Sequence, residues 1–214
     1  MFRFLGAAGV RLSGRSVLEL GFGGNHGADL LTMHARGARK CIGLDINKSY
    51  VDSFNKSHAN DHSNYEDQNF SSSVRAICCD IASFDYAQVG RVDIAFGRDI
   101  IYYLNDKEIS RVFSSIFSAL LPDGVFCVQF IERDFLLRSP VIDFTPDVLM
   151  DADVVPLHNA SNPIRYLIPS NVISMAEANG FFLRAHKSYI ESYDSESSHF
   201  RVNKYLLFSI SPES

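Results

Sequence analysis

The segment Val17-Leu-Glu-Leu-Gly-Phe-Gly-Gly-Asn-His-Gly27 decides the fold of this chain. Its first four residues are an apolar run with a single acid, and we expect a buried strand over residues 16–20. The glycine-rich tail leads into a helix predicted from Asn25, its cap, to about Arg36, with Gly37 at its end. Unpaired N–H groups and the macrodipole at a helix N-terminus favour a bound anionic or polar ligand.

The composition indicates a single globular domain. The chain has 214 residues, 46% of them hydrophobic, which is enough for one well-filled core over residues 1–214. A net charge of -5 argues against a broad nucleic-acid surface, and no apolar stretch has the length of a membrane span or a signal peptide. Four cysteines without zinc-like spacing predict reduced core residues of a soluble cytoplasmic protein. They are Cys41, Cys78, Cys79 and Cys127.

Short apolar runs alternate with amphipathic helices through the first two thirds of the chain. Further strands are predicted at residues 40–45, 74–79, 92–96 and 125–131. A helix predicted from Asn47 carries Tyr50, Val51 and Phe54 on one apolar face. Another is predicted from Asn105, where Glu108 completes a capping box, and Pro122-Asp-Gly124 is expected to end it and turn the chain into the fifth strand. This alternation is typical of an α/β fold, a parallel sheet covered by helices on both faces.

The C-terminal part follows a different pattern. Residues 132–168 are irregular and contain four prolines, and we expect them to form an inserted lid rather than a separate domain. A helix is predicted from its cap Ser170 to Gly180. The apolar runs at 181–190 and 200–210 then predict a hairpin added to the sheet edge.

Acidic and glycine residues follow the predicted strands at the points where those strands end. Residues 19–27, Asp45, Asp80 and residues 97–99 all lie at such ends. In open α/β sheets ligands bind outside the carboxyl ends of the strands, near the switch in strand order. The sequence therefore predicts one pocket at this rim.

Five motifs in this order resemble those of the class I S-adenosylmethionine-dependent methyltransferases, over residues 16–209. They are Glu19-x-Gly21-x-Gly23, Asp45, Asp80, Arg98-Asp-Ile-Ile-Tyr-Tyr-Leu104 and Leu121-Pro-Asp-Gly124. The resemblance implies a Rossmann-like, doubly wound sheet of seven mostly parallel strands with a C-terminal antiparallel hairpin, in three α/β/α layers. It also implies S-adenosylmethionine as cofactor and S-adenosylhomocysteine as product.

The resemblance assigns roles to individual residues. Gly21 and Gly23 would lie against the methionine part of the cofactor, Asp45 would accept both ribose hydroxyls, and Asp80 would bind the adenine amino group. A carboxylate is an acceptor only, which suits a diol. The remaining predicted cofactor contacts are Glu19, Phe22, His26, Ile46, Ile81 and Arg98. For Ile46 and Ile81, one residue beyond each acid, a place in the core is an equal alternative.

The chain departs from the family pattern in two places. Asn25 stands where a third glycine is common, and Asn tolerates strained turns. The first strand also starts close to Met1, so the N-terminal helices that often cover the cofactor are almost absent. We expect the 132–168 insertion or a partner subunit to cover it instead.

Two other functions share parts of this sequence pattern. A nicotinamide dehydrogenase needs glycine or alanine at position 26, where this chain has His26, and its next glycine, Gly27, is one residue late. A non-catalytic binding protein of the same fold stays open because of the two departures.

Methyl transfer is an in-line displacement that asks the protein to orient an acceptor and exclude water. The predicted catalytic residues are Tyr102, His158 and Arg98, with Asp99, Tyr103 and Tyr166 as further candidates at the rim. Tyr102 would orient the acceptor or pack under the lid, because a phenol with a reference pKa near 10 is a poor base. Arg98 would bind an anionic group or pair with Asp99 or another acid, and His158 is a base by elimination.

These residues together predict methylation of an O or N atom of a small molecule, a sugar or another polar metabolite. No metal is expected, because Glu132-Arg-Asp134 stands where metal-dependent relatives have an Asp-Asn pair. We expect no nucleic-acid or membrane partner, and we leave a homodimer open.

Overall fold

Seven strands form one mixed sheet in the computed structural model, which describes residues 1–59, 73–131, 167–192 and 200–212. The strands are β1 (Ser16–Leu20), β2 (Lys40–Asp45), β3 (Val74–Cys78), β4 (Val92–Arg98), β5 (Leu120–Ile131), β6 (Phe182–Ser192) and β7 (Phe200–Ser209). Their order in the sheet is β3-β2-β1-β4-β5-β7-β6. Strands β1 to β5 pair in parallel, and β7 runs antiparallel between β5 and β6. The predicted doubly wound sheet with a C-terminal antiparallel hairpin is confirmed.

Helices and short 3-10 turns connect the strands. The helices are α1 (Phe2–Ala7), α2 (Ala28–Ala35), α3 (Lys48–Ala59), α4 (Asp106–Ala119) and α5 (Pro169–Ala178). The 3-10 turns are η1 (Phe22–Asn25), η2 (Tyr86–Val89) and η3 (Ile101–Tyr103). In the described part of the chain, none of the helices is both long and apolar enough to cross a bilayer.

The core lies in two layers, one on each face of the sheet. Successive strand residues point to opposite faces, and Val17 of β1 accordingly packs in one cluster and Leu18 in the other. The cluster around Val17 also contains residues of α1, α2 and α3. The cluster around Leu18 contains residues of α4 and α5. The sheet is therefore the middle of three layers, as predicted.

Helix α2 begins later than predicted. The glycine-rich tail first forms η1, and His26 and Gly27 then adopt left-handed conformations with φ of 54° and 77°. An α-helix cannot contain such residues, so the first helical residue is Ala28 and the cap is Gly27 rather than Asn25. The predicted end is confirmed, because Gly37 follows the helix with a φ of 91°.

Other boundaries agree or move by a few residues. Asn105 and Glu108 form the predicted capping box at the start of α4. Helix α5 is capped at Ile168 instead of Ser170, since Pro169 occupies its first position, where a missing N–H costs nothing. Strand β4 extends two residues beyond the predicted end and includes Arg98.

Strand β5 starts earlier than predicted and is interrupted. Leu120 pairs with Val92 directly after α4, and regular pairing resumes with Val125 opposite Ile94. The Pro122-Asp-Gly124 segment, predicted to turn the chain out of the helix, lies between these two pairings. The predicted lid lies outside the described residues, apart from residues 167 and 168.

Candidate active site

A pocket of about 720 Å³ opens at the carboxyl ends of β1 to β4. The predicted cofactor residues that line it are Glu19, Gly21, Asp45, Ile46, Asp80, Ile81 and Arg98. Parallel strands bring their carboxyl ends to the same edge of the sheet, which is why residues far apart in sequence meet here. The pocket predicted at this rim is therefore present.

The glycine turn after β1 forms one wall. Gly21 is left-handed, with a φ of 70°, and its N–H donates a 2.7 Å hydrogen bond to the carbonyl of Leu44. A Cβ on Gly21 would lie 2.6 Å from Cδ1 of Ile100. A Cβ on Gly23 would overlap the ring of Tyr50 and lie 2.8 Å from Oδ2 of Asp45. Both positions therefore need glycine, for conformation and space at Gly21 and for space at Gly23.

Asp45 is held in a fixed orientation by that turn. Oδ2 accepts a 2.8 Å hydrogen bond from the backbone N–H of Gly23, and Oδ1 accepts one of 2.8 Å from the N–H of Asn47. A carboxylate has about four lone-pair sites. The two backbone hydrogen bonds therefore leave acceptor capacity on both oxygens, which is what a ribose diol requires.

Asp80 occupies the matching place after β3. Its Oδ1 accepts a 2.9 Å hydrogen bond from the N–H of Ala82, and its Oδ2 accepts one of 3.2 Å from the hydroxyl of Ser83. The isoleucines that follow the two acids, Ile46 and Ile81, differ in their exposure. Ile46 is 74% exposed and does not belong to the core, whereas Ile81 is 6% exposed and both packs in the core and lines the pocket.

Glu19 lies on the floor of the pocket and is 2% exposed. Burial raises the pKa of its carboxyl well above the ordinary value, and the nearby Asp29 raises it further, although Arg98 and a hydrogen bond from the Leu30 N–H oppose this. Oε2 of Glu19 has no hydrogen-bond partner among the described residues. A buried acceptor facing a cavity in this way fits a ligand that carries a donor or a positive charge.

Arg98 pairs with an acid, the predicted alternative to binding an anion, and that acid is Asp29. Its Nε lies 3.2 Å from Oδ2 of the buried Asp29, at an angle that makes an ion pair but no hydrogen bond. The side chain of Arg98 is 35% exposed and lines the pocket. The only guanidinium at this rim in the described residues is thus tied to the protein through one of its nitrogens.

Three predicted cofactor contacts are not among the described residues that line the pocket. Gly23 supports Asp45 from behind. Phe22 is 1% exposed and packs 5.2 Å from Phe54, so its side chain belongs to the core and not to the site. His26 is exposed, with its ring 5.9 Å from that of Tyr50, and it does not block the glycine turn.

Of the three predicted catalytic residues, Tyr102 and Arg98 are among the described residues. Tyr102 lines the pocket, is 5% exposed and packs edge-on against Tyr103 with ring centroids 4.7 Å apart. Tyr102 therefore packs against an aromatic neighbour and also lines the pocket, so its position is compatible with both predicted roles. His158 and Tyr166 lie outside the described residues.

Sequence reasoning missed several residues of the pocket wall, among them Tyr50 and Cys79. Tyr50 was expected on the apolar face of its helix but is 40% exposed. Burial raises the pKa of the Cys79 thiol to about 12, so it is not a ready nucleophile. Its place directly before Asp80 at a strand end was the available signal. The core prediction is confirmed for Cys41 and Cys127 and wrong for the exposed Cys78.

Fold and site together define a class: an α/β protein that binds a nucleotide-like cofactor at the carboxyl edge of a doubly wound sheet. A family model described as "Methyltransferase domain" matches residues 17–124, just over half of the chain. The chain belongs to this methyltransferase family, and the resemblance to the class I S-adenosylmethionine-dependent enzymes is confirmed.

Solved structures share the fold across nearly the whole chain. An S-adenosylmethionine-dependent methyltransferase from Mesorhizobium loti is 14% identical, with 95% of this chain and 94% of that chain covered and a TM-score of 0.68. Magnesium protoporphyrin IX methyltransferase from Synechocystis PCC 6803, with bound SAH, is 17% identical, with 98% and 79% covered and a TM-score of 0.65. The glycopeptide N-methyltransferase MtfA complexed with sinefungin is 15% identical, with 98% and 92% covered and a TM-score of 0.67. Comparison with curated protein sequences gives no match.

Proposed function

We propose that this protein transfers a methyl group from S-adenosylmethionine to an oxygen or nitrogen atom of a small molecule. The observation that carries the proposal is that Asp45, Asp80 and the glycine at position 21 line a single pocket. The two acids follow neighbouring strands, β2 and β3, and the glycine follows β1 beside them.

The residues present fit the cofactor of this family. Asp45 retains acceptor capacity for the two ribose hydroxyls, and Asp80 stands one strand further on for the adenine amino group. Adjacent strands are about 4.8 Å apart, so the acids that follow β2 and β3 are near enough for one adenosine to reach both. Ile46 and Ile81 supply apolar surface beside the acids. When bound, the cofactor supplies both the methyl group and its own leaving group.

The chain's part in the reaction is to bind, orient and exclude water. Apolar side chains of Ile100 and Leu104 line the pocket together with Tyr102 and Tyr103. The volume of about 720 Å³ lies within the roughly 300–1,000 Å³ of ordinary ligand pockets. A pocket of this size has room for a cofactor together with a small acceptor.

A polar acceptor, such as a sugar or another polar metabolite, fits the carboxylates of this pocket better than a lipid does. The net charge of -5 likewise favours a small molecule over nucleic acid. A homodimer and a cytoplasmic location stay predictions. The dehydrogenase alternative loses support, because β7 lies antiparallel between β5 and β6, where a dinucleotide-binding sheet continues in parallel.

Transfer of label tests the proposal. Purified protein is incubated with S-adenosylmethionine labelled in its methyl group and with a low-molecular-weight cell extract, and the products are separated by chromatography. We expect label in a small molecule with the wild-type protein and much less with Asp45→Ala. Binding of the cofactor without transfer to any extract component would favour the non-catalytic binding protein instead.

A further inference from the structure

A fourth carboxylate lines the pocket on the side away from Asp45 and Asp80. Asp99 directly follows β4 and lines the pocket. In the strand order β3-β2-β1-β4, the acids Asp80 and Asp45 belong to one side of β1 and Asp99 to the other. The sequence names Asp99 as a further candidate at the rim but assigns it no specific role.

The backbone of Asp99 is fixed in an uncommon conformation. Its φ of 57° is left-handed, which few residues other than glycine adopt, although Asp and Asn tolerate it better than most. The N–H of Asp99 donates a 3.1 Å hydrogen bond to the carbonyl of Gln129 on the neighbouring β5. The backbone that carries this carboxylate is therefore anchored to the sheet.

The side chain of Gln129 orients that carboxylate. Its Nε2 donates a 3.1 Å hydrogen bond to Oδ1 of Asp99. Gln129 is 3% exposed, and its Oε1 has no hydrogen-bond partner among the described residues. Because a carboxylate only accepts hydrogen bonds, the amide must turn its NH₂ group toward Asp99 and leave its oxygen unpaired. A buried unpaired acceptor is unfavourable. The orientation of the Gln129 amide therefore holds Asp99 in place but lowers the stability of the fold.

The strand order indicates where the reacting end of the cofactor would lie. If the acids after β2 and β3 held ribose and adenine, the rest of the cofactor would extend over β1 toward β4. One strand spacing is about 4.8 Å, so Asp99, beyond β1, would lie nearer the methyl group than the adenosine. The pocket wall next to it is Ile100 and Tyr103.

We propose that Asp99, positioned by Gln129, binds the polar hydrogen of the methyl acceptor. This inference rests on the proposed function and narrows it to acceptors with an O–H or N–H group. For a hydroxyl acceptor, the new O–C bond forms as the S–C bond breaks, the electron pair of that bond stays on sulfur, and the hydroxyl proton passes to Asp99. An amine attacks with its lone pair while one N–H donates to Asp99, and the extra proton of the product leaves to water.

The test needs no knowledge of the acceptor, because two cofactor analogues differ only near the reacting atom. S-adenosylhomocysteine lacks the methyl group, and sinefungin carries an amine in that region. Both are titrated into the wild type and Asp99→Asn by calorimetry. Asn keeps the left-handed backbone and still accepts from Gln129. We expect the substitution to weaken sinefungin about tenfold, as for one lost charge-assisted hydrogen bond, and to leave S-adenosylhomocysteine within about twofold.

Two more variants complete the design. Asp123→Asn, an exposed aspartate between the two pairings of β5, makes the same chemical change and should alter neither affinity. Gln129→Met should reduce the preference for sinefungin without abolishing it, a change that a purely structural role would not produce. Equal weakening of both analogues by Asp99→Asn would place Asp99 on the shared part of the cofactor and overturn the inference, as would no change in either. If the wild type binds neither analogue, the proposed function itself fails.

Discussion

At the scale of single residues, Gly21 shows how conformation and space act together. Its φ of 70° is strained for any side chain, and a Cβ would also meet Cδ1 of Ile100 at 2.6 Å. Gly14 has a φ of 74° but no atom within 4 Å of its Cβ position. Alanine substitutions at Gly14 and Gly21 therefore distinguish the cost of backbone strain alone from the cost of strain plus steric overlap.

We expect Gly14→Ala to cost about 1–2 kcal/mol, the penalty of a left-handed residue with a Cβ. Gly21→Ala should cost at least about 1 kcal/mol more, because Ile100 must move within a packed wall. Urea unfolding of the two variants and the wild type measures both values. Equal costs would mean that Ile100 yields freely and that the glycine is required for conformation alone.

The buried carboxyl of Glu19 predicts a pH dependence of stability. Its pKa in the folded protein is raised by burial first and by Asp29 second. The folded state then binds more protons than the unfolded state between the ordinary pKa of 4.5 and the raised value. Stability contributed by this group is thus complete below the ordinary pKa and is lost as the pH rises through that window.

Glu19→Gln removes this titration while keeping the shape of the side chain. The wild type should lose stability between pH 5 and pH 8, whereas the variant should not lose this contribution. We therefore expect the free energy of unfolding of the variant minus that of the wild type to increase over this range. Urea unfolding at several pH values without cofactor measures it, with Asp123→Asn as the exposed control. A constant difference between variant and wild type across the range would show that Glu19 stays ionised throughout.

Sequence reasoning identified Asp45 and Asp80 because an acid directly after a buried strand of a parallel sheet can lie only at the carboxyl edge. It missed Tyr50, which helical periodicity placed with the buried residues Val51 and Phe54. Periodicity separates an apolar face from a polar one, but it does not tell whether that face meets the core or a cavity. Phe22 illustrates the reverse error, since a residue inside the motif belongs to the core.

At the scale of elements, α4 is the helix whose start was predicted most fully from local sequence. Asn105 accepts a 3.0 Å hydrogen bond from the N–H of Glu108, whose side chain accepts one of 2.8 Å from the N–H of Asn105. Asn105→Ala should lower the free energy of unfolding by about 1 kcal/mol through loss of this cap. Ser114→Ala, an exposed change in the same helix, should be neutral or slightly stabilising, because alanine is the better helix former.

Denaturant melts of both variants decide this prediction. A similar result for the two would indicate that tertiary packing of Ile109 and Val112 alone sets the start of the helix. The start of α2 was beyond such local reasoning. Two consecutive left-handed residues, His26 and Gly27, delay it, and a histidine in that conformation has no reliable sequence signal.

At the scale of the whole molecule, the sheet order explains why four separate motifs, those that follow β1, β2, β3 and β4, form one site. Strands β1 to β4 are neighbours in the order β3-β2-β1-β4, so the segments after them border one cavity. The fold class followed from the alternation of strands and helices together with the motif order. The runs at 181–190 and 200–210 predicted a hairpin added to the sheet edge, but not that its second strand, β7, is the one that pairs with β5.

The central claim is that this pocket holds the adenosyl group through Asp45. Calorimetric titration with S-adenosylhomocysteine, comparing the wild type with Asp45→Ala and with Asp52→Ala, tests it most directly. Asp52 pairs with Lys48 at the surface and serves as the matched control. Thermal melts first establish that both variants are folded. The account predicts binding by the wild type and Asp52→Ala and at least about tenfold weaker binding by Asp45→Ala, the loss of hydrogen bonds to a charged acceptor. Equal affinity in all three proteins, or no binding of S-adenosylhomocysteine beside tight binding of NAD, would contradict it.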